Sequence, residues 1–176
     1  MISLKTIKAN DERKKLKLLY MEYLHQLSQY KIFDASFEAT THEMYIDEEY
    51  REDMFIMLDD KPIGFAMIGH YPNAFTDRDI YIQEFFVKGK YQNEGYGRQA
   101  VRLIAQKYGY KDISLFVIKA NQKAIDFWPN VLNKIGHFCR LKEGGIKAST
   151  CDNELIWNYY KKERLTTISG RKYKSR

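Results

Sequence analysis

The sequence predicts a single mixed α/β (α+β) domain, and three observations predict it. Segments rich in β-branched and aromatic residues alternate with segments whose apolar residues recur at helical spacing. One segment, Ile113 to Ile118, is apolar throughout, the pattern of a strand covered on both faces. No internal repeat and no linker rich in Pro, Gly or Ser divides the 176 residues, a length that suits one domain.

Ile2, Leu4 and Ile7, with polar residues between them, form a short first strand. Asn10 or Asp11 then caps a long helix with apolar positions Leu16, Leu19, Tyr20, Tyr23, Leu24 and Leu27 on one face. A second, acidic helix is expected from about Thr41 to Glu52, contacting the core through Met44, Tyr45 and Tyr50. Met54–Leu58 and Ile63–Tyr71 read as strands joined by the turn Asp59-Asp60-Lys61-Pro62. A loop, Pro72 to Arg78, leads to a strand from Asp79 to Val87. Ala100, Val101, Ile104, Ala105 and Tyr108 mark an amphipathic helix that Gly109 ends. After the apolar strand, Asn121 caps a helix carrying Ala124, Ile125, Phe127, Trp128, Leu132 and Ile135, with Gly136 as its stop. Pro129 in its middle is expected to kink or break it. Glu154 to Tyr160 is the last strand.

Composition sets the class. Hydrophobic residues at 44% and charged residues at 30% exclude collagen-like, mucin-like and disordered chains. No run approaches the roughly 18 apolar residues of a membrane span, and Met1 to Lys5 shows no secretory signal. Cys139 and Cys151 are too few for a disulfide framework, and Cys139 is expected in the core. The expectation is a soluble cytoplasmic protein without membrane partners. His25, His42, His70 and His137 are scattered with no spacing that fits a metal, so none is expected.

The net charge of +6 sits wholly in residues 161–176, where seven bases face Glu163 alone. Residues 1–160 are therefore a neutral domain, and 161–176 are expected as a flexible basic tail. Within the domain, Asp34 to Asp60 holds ten acids against Arg51. Such a segment is either a solvated face or, if it borders a cleft, an attractor of cations.

The chemistry is concentrated in Phe85-Phe86-Val87-Lys88-Gly89-Lys90-Tyr91-Gln92-Asn93-Glu94-Gly95-Tyr96-Gly97-Arg98. A strand enters a short turn, and two glycines open a helix, so unpartnered backbone N–H groups and the helix dipole converge on one spot. That is a seat for phosphate. Glycines at a helix start also serve close helix-to-strand packing. The stretch lacks the third glycine of a dinucleotide fingerprint and the Gly-Lys-Ser/Thr of a triphosphate loop.

Gln92-Asn93-Glu94-Gly95-Tyr96-Gly97 resembles the Gln/Arg-x-x-Gly-x-Gly/Ala signature of the GNAT superfamily of N-acetyltransferases, placed as in that family directly after a strand. Asn121-x-x-Ala124-x-x-Phe127 is similar to its second characteristic segment, and the order of elements is similar too. The resemblance covers about Met54 to Phe138. It implies a three-layer fold with a mixed, mostly antiparallel sheet of about six or seven strands and helices on both faces.

The resemblance also implies acetyl-CoA as acetyl donor, with no metal. Its pyrophosphate would lie on the N–H groups of Gln92, Asn93, Glu94, Gly95, Tyr96, Gly97 and Arg98, with Lys88, Lys90 and the Arg98 side chain as charges. Its pantetheine arm would run along the strand end, where N–H groups near Phe86 and Val87 polarise the thioester carbonyl, and Asn121 would touch it from the other side. Glu84 would be the base that neutralises an incoming primary amine. Strand alternation leaves open the alternative that Glu84 is an outward, solvated carboxylate. Trp128 stands where many members have a tyrosine acting as general acid, leaving that role to Tyr81, Tyr91 or solvent. His70 would border the acceptor cleft, against the alternative of a packed or surface imidazole.

The acceptor implied by the acidic segment is a cationic small-molecule or peptide amine: a polyamine, an aminoglycoside-like amine, a lysine or an N-terminal amine. Tyr45, Tyr50, Tyr71 and Phe75 could add an aromatic surface. Two rivals stand beside this reading. One is a CoA-binding interaction protein without catalysis. The other is an acetyltransferase associated with RNA or the ribosome, the tail being the one part suited to nucleic acid. A homodimer is compatible with either.

Overall fold

The computed structural model describes residues 1–30, 50–70, 80–139 and 154–161. Its elements are β1 (Ile2–Thr6), α1 (Asn10–Ser28), β2 (Arg51–Leu58), β3 (Lys61–Gly69), β4 (Ile80–Val87), α2 (Tyr96–Lys107), β5 (Ile113–Ile118), α3 (Gln122–Lys134), β6 (His137–Cys139) and β7 (Glu154–Lys161). They form one seven-stranded sheet in the order β1-β2-β3-β4-β5-β7-β6. Every pairing is antiparallel except that of β4 with β5. The mixed, mostly antiparallel sheet expected from the sequence is thus present.

Period-two alternation divides the core into two layers. Phe55, Phe65, Met67 and Phe86 face α1 and bury its stripe of Leu16, Leu19, Tyr20 and Leu24. Met54, Ala66, Ile68, Ile80 and Ile82 face the opposite way, against Val101 and Ile104 of α2 and Trp128, Val131 and Leu132 of α3. Leu115 and Val117 of β5 belong to this second layer.

Four local details differ from the sequence reading. The first helix is capped not by Asn10 or Asp11 but from within: Ala9 is the cap residue, and Glu12 reaches back to the N–H groups of Lys8 (3.0 Å) and Ala9 (3.2 Å). The acidic helix expected to run to Glu52 does not include its last residues, because Arg51 and Glu52 already pair with Gly69 and Ile68 in the sheet; residues 41–49 lie outside the described ones. Pro129 does not interrupt α3. One missing backbone bond is outweighed there by the burial of Trp128, Val131 and Leu132. The three-residue strand β6 is too short to show a period in the sequence, and among the described residues it pairs with β7 alone.

Of the tail, Lys161 closes strand β7 and residues 162–176 lie outside the described ones. Cys151 and the segment 71–79, with Tyr71 and Phe75, lie outside them as well. No described helix is long and apolar enough to cross a membrane.

Glu12 offers a test of the cap. Lys5 at 2.7 Å and the two backbone N–H groups hold its carboxyl down at about 2, against an ordinary 4.5. Its contribution is therefore complete above the ordinary value and is lost as pH falls through about 2. Glu12→Gln should lower Tm at pH 7, and thermal melts at successively lower pH should show the difference from the parent protein closing. A gap that stays constant down to pH 2 contradicts this assignment.

Candidate active site

The site begins with an irregularity in β4. Ile80 to Ile82 pair with Ile113 to Leu115 of β5, and there the pairing stops. On its other side β4 pairs with β3 as far as Val87, but Met67 opposes Glu84 while Ile68 opposes Ile82. Gln83 is therefore an extra residue, a β-bulge, at the point where β4 and β5 part. A slot opens between Gln83–Val87 and Phe116–Ile118.

The bulge also inverts the strand's faces. Ile80 and Ile82 belong to the layer under α2 and α3, and unbroken alternation would send Glu84 there too. With one residue added, Phe85 and Val87 join that layer, and Glu84 and Phe86 turn toward α1. There the Tyr23 hydroxyl of α1 donates to Glu84 Oε2. Glu84 is half-buried. The reading of it as an outward, solvated carboxylate is overturned.

Backbone polarity follows the same inversion. Lys88 N–H donates to the Ile63 carbonyl of β3 at 2.9 Å, so alternation points the Phe86 N–H at β3 and the N–H groups of Phe85 and Val87 into the slot. The Phe86 N–H, expected near the slot, points to β3, and the N–H groups on the slot edge are those of Phe85 and Val87. Gly64 makes the close approach possible: a Cβ there would lie 2.0 Å from the Phe86 carbonyl oxygen. Its need was not legible in the sequence, where it reads as an ordinary strand glycine.

The glycine turn follows directly. Gly89–Tyr91 is one turn of 3₁₀ helix, and Gln92 N–H bonds back to the Gly89 carbonyl at 3.1 Å. Asn93 (φ 67°) and Gly95 (φ 77°) both adopt left-handed backbone. Gly95 is the cap residue of α2, and the first helical bond is Gln99 N–H to the Gly95 carbonyl, 3.1 Å. The N–H groups of Tyr96, Gly97 and Arg98 thus have no acceptor within the helix. A Cβ on Gly97 would meet the Phe127 ring at 3.4 Å, an ordinary contact.

The side chains have separate tasks. Gln92 Nε2 donates to the Val87 carbonyl (2.7 Å) and to Gln26 of α1 (3.3 Å), so it fixes the turn to the strand end. Lys88 pairs with Glu22 at 3.4 Å and Lys90 lies over the Tyr91 ring. Arg98 is exposed in the first turn of α2 and has no side-chain partner among the described residues. On the far lip of the slot, Asn121 Oδ1 accepts from Ala124 N–H (3.1 Å), capping α3, and from the Tyr30 hydroxyl (3.0 Å). Trp128 is buried edge-on to Phe85 and Phe127 in the α2 and α3 layer. Tyr81, edge-on to Phe116, lies at the point where the strands part.

Other candidates fall elsewhere. His137 is buried, and its Nε2 bonds the Lys111 carbonyl at 2.8 Å. The His70 ring lies tilted against Tyr108, 4.9 Å between centroids, beside Glu52, and burial pushes its imidazole pKa down. His42 lies outside the described residues. Glu52 is held by Thr6 (2.6 Å), Tyr108 (2.6 Å) and Lys107 (3.1 Å), and Asp53 by Arg51 (2.7 Å). A cavity of about 150 Å³ beside them is lined by Thr6, Ile7, Arg13, Arg51, Glu52 and Asp53. It lies at the opposite end of the sheet from the glycine turn. Among the described residues no group of three or more His, Cys, Asp or Glu could hold a metal.

The model of the Acetyltransferase (GNAT) family matches residues 18–132, and the chain belongs to that family. Among solved structures, the fold is shared with a PaiA N-acetyltransferase from Thermoplasma acidophilum in complex with coenzyme A, at a TM-score of 0.62 and 16% identity over 91% of this chain and 99% of that one. It is also shared with an acetyltransferase from Thermus thermophilus, at 0.57 and 19% over 90% and 95%. A thialysine N-epsilon-acetyltransferase from Sus scrofa is 28% identical over 76 residues, 39% of this chain and 45% of that relative, so the match spans less than half of it.

Gly64→Ala tests the close approach of β3 to β4. All three atoms that the added Cβ would meet are backbone, so one strand must move, at a cost of about 3 kcal/mol. Urea unfolding should show that loss. A midpoint equal to that of the parent protein would refute the contact.

Proposed function

We propose that this protein transfers an acetyl group from acetyl-CoA to a primary amine by direct attack. The observation that carries the reading is the bulge at Gln83, which opens the slot, aims two N–H groups into it and turns Glu84 toward α1 in one step.

The residues present fit the coenzyme. The N–H groups of Tyr96, Gly97 and Arg98, at the positive end of α2, suit a diphosphate, and the exposed Arg98 guanidinium adds charge. Lys88, already paired with Glu22, contributes less than the sequence implied. Phe85 and Val87 offer N–H groups to an extended arm lying in the slot and to the thioester oxygen on which negative charge develops. Asn121 Oδ1 is engaged by its cap and by Tyr30, which leaves the amide N–H₂ to meet the arm. Glu84 takes the proton from the acceptor's ammonium group, which near pKa 10.4 is otherwise charged at neutral pH. Trp128 supplies no proton, and a thiol of pKa near 8.5 leaves as thiolate without one.

The acceptor class is a cationic amine. The Sus scrofa relative is named for acetylating an ε-amine, which supports an amine acceptor. Glu52, Asp53 and Asp59 do not recruit the cation, since they pair with Lys107, Arg51 and the N-terminal amine. That role falls to the remaining seven, the six acids from Asp34 to Glu49 and Asp60.

Calorimetry with acetyl-CoA should show binding, and Gly95→Val should weaken it at least about tenfold. The Cβ meets nothing within 4 Å, so the loss comes from forcing a branched residue to φ 77°. Unaltered binding would remove the turn from the site. In a thiol-release assay across an amine panel, Glu84→Gln should lower kcat by about 100-fold. Binding without release for any amine would instead support the non-catalytic reading.

A further inference from the structure

No motif singles out Tyr23; in the sequence it is one more apolar position of the α1 stripe. Its ring lies 5.7 Å from Phe65, 5.6 Å from Phe86 and 5.8 Å from Tyr20, so packing alone would be met by phenylalanine. The hydroxyl is a further group, carried into a buried aromatic layer, where leaving it unsatisfied would be destabilising. It meets a carboxylate from the opposite element, 61 residues away, at the point where β4 leaves β5.

From this geometry we infer that Tyr23 is a positioning residue for Glu84. It holds Oε2 toward α1, so that the carboxylate meets the acceptor nitrogen in one fixed orientation. The inference rests on Glu84 being the base.

Glu84 from β4, Tyr20 from α1 and Tyr81 from β4 are the groups that act on Tyr23. Burial, and then the Glu84 charge, push its phenol well above the ordinary value. Tyr23 therefore stays protonated wherever an amine could be acetylated, and it remains a donor throughout. The proton bookkeeping is simple. The ammonium N–H bond breaks, an O–H bond forms on Glu84, and Tyr23 keeps its own proton.

A double-mutant cycle in the full chain separates this role from packing. Tyr23→Phe keeps the ring and removes the donor. It should lower kcat about tenfold and leave the KM for acetyl-CoA unchanged. In a Glu84→Gln background the same change should alter kcat less than about twofold, because the oriented base is already gone. An equal loss in both backgrounds, or none in the parent, overturns the inference. If Tyr23→Phe melts early, the four proteins are compared below the lowest Tm on the same criterion. Glu84→Gln with parental activity would instead remove the base itself, an outcome distinct from additivity in the presence of an impaired Glu84→Gln.

Discussion

One extra residue in one strand sets the geometry on which the site depends. Without Gln83 as a bulge, β4 could pair with β5 along its length, the two lips of the slot would be a closed ladder, and Glu84 would face α2 and α3. With it, the strand changes both its hydrogen-bonding edge and its side-chain faces. A donor pair, a carboxylate and an opening arise together because they are consequences of the same shift in register. The bond from Val87 O to Gln92 then carries the shift into the glycine turn.

Helix α1 joins parts of the site that the sheet separates. It places Glu22 on Lys88, Tyr23 on Glu84 and Gln26 on Gln92, and Tyr30, two residues past its end, meets Asn121. The first three contacts are to the β4 lip and its turn, and the last is to the β5 lip. Its apolar stripe, anchored on Phe55, Phe65, Met67 and Phe86, fixes the rotation of the helix. These polar residues are therefore aimed by hydrophobic packing on the neighbouring face. At its other end, Glu12 supplies the cap that the missing Ser, Thr, Asn or Asp at Ala9 would have given.

Charge is arranged differently at the two ends of the sheet. At the end carrying Arg51, Glu52 and Asp53, opposite charges are partly buried and mutually satisfied, which fixes local structure and offers little field to a ligand. At the end carrying Asn93 to Arg98, unpartnered N–H groups and an exposed guanidinium face outward. The acidic stretch that looks uniform in the sequence divides accordingly, with Glu52 and Asp53 absorbed into strand pairing and cross-sheet bonds.

The sequence by itself determined the alternation of strands and helices, the α1 stripe, β5 to the residue, the α3 cap and stop, and the glycine turn. Each of these is written in local periodicity, in capping chemistry or in a short motif. It also marked Glu84, but not the face on which Glu84 lies. Period-two reasoning carries across a strand only while the register holds, and a bulge is fixed by pairing with Met67 and Ile68, distant in the chain. The same long-range pairing decided that Arg51 and Glu52 are strand, that Gly64 must lack a side chain, that Asn121 answers to Tyr30, and that Tyr23 has a partner other than the core. Only the tertiary structure could decide these, because each depends on which residue of another element stands opposite.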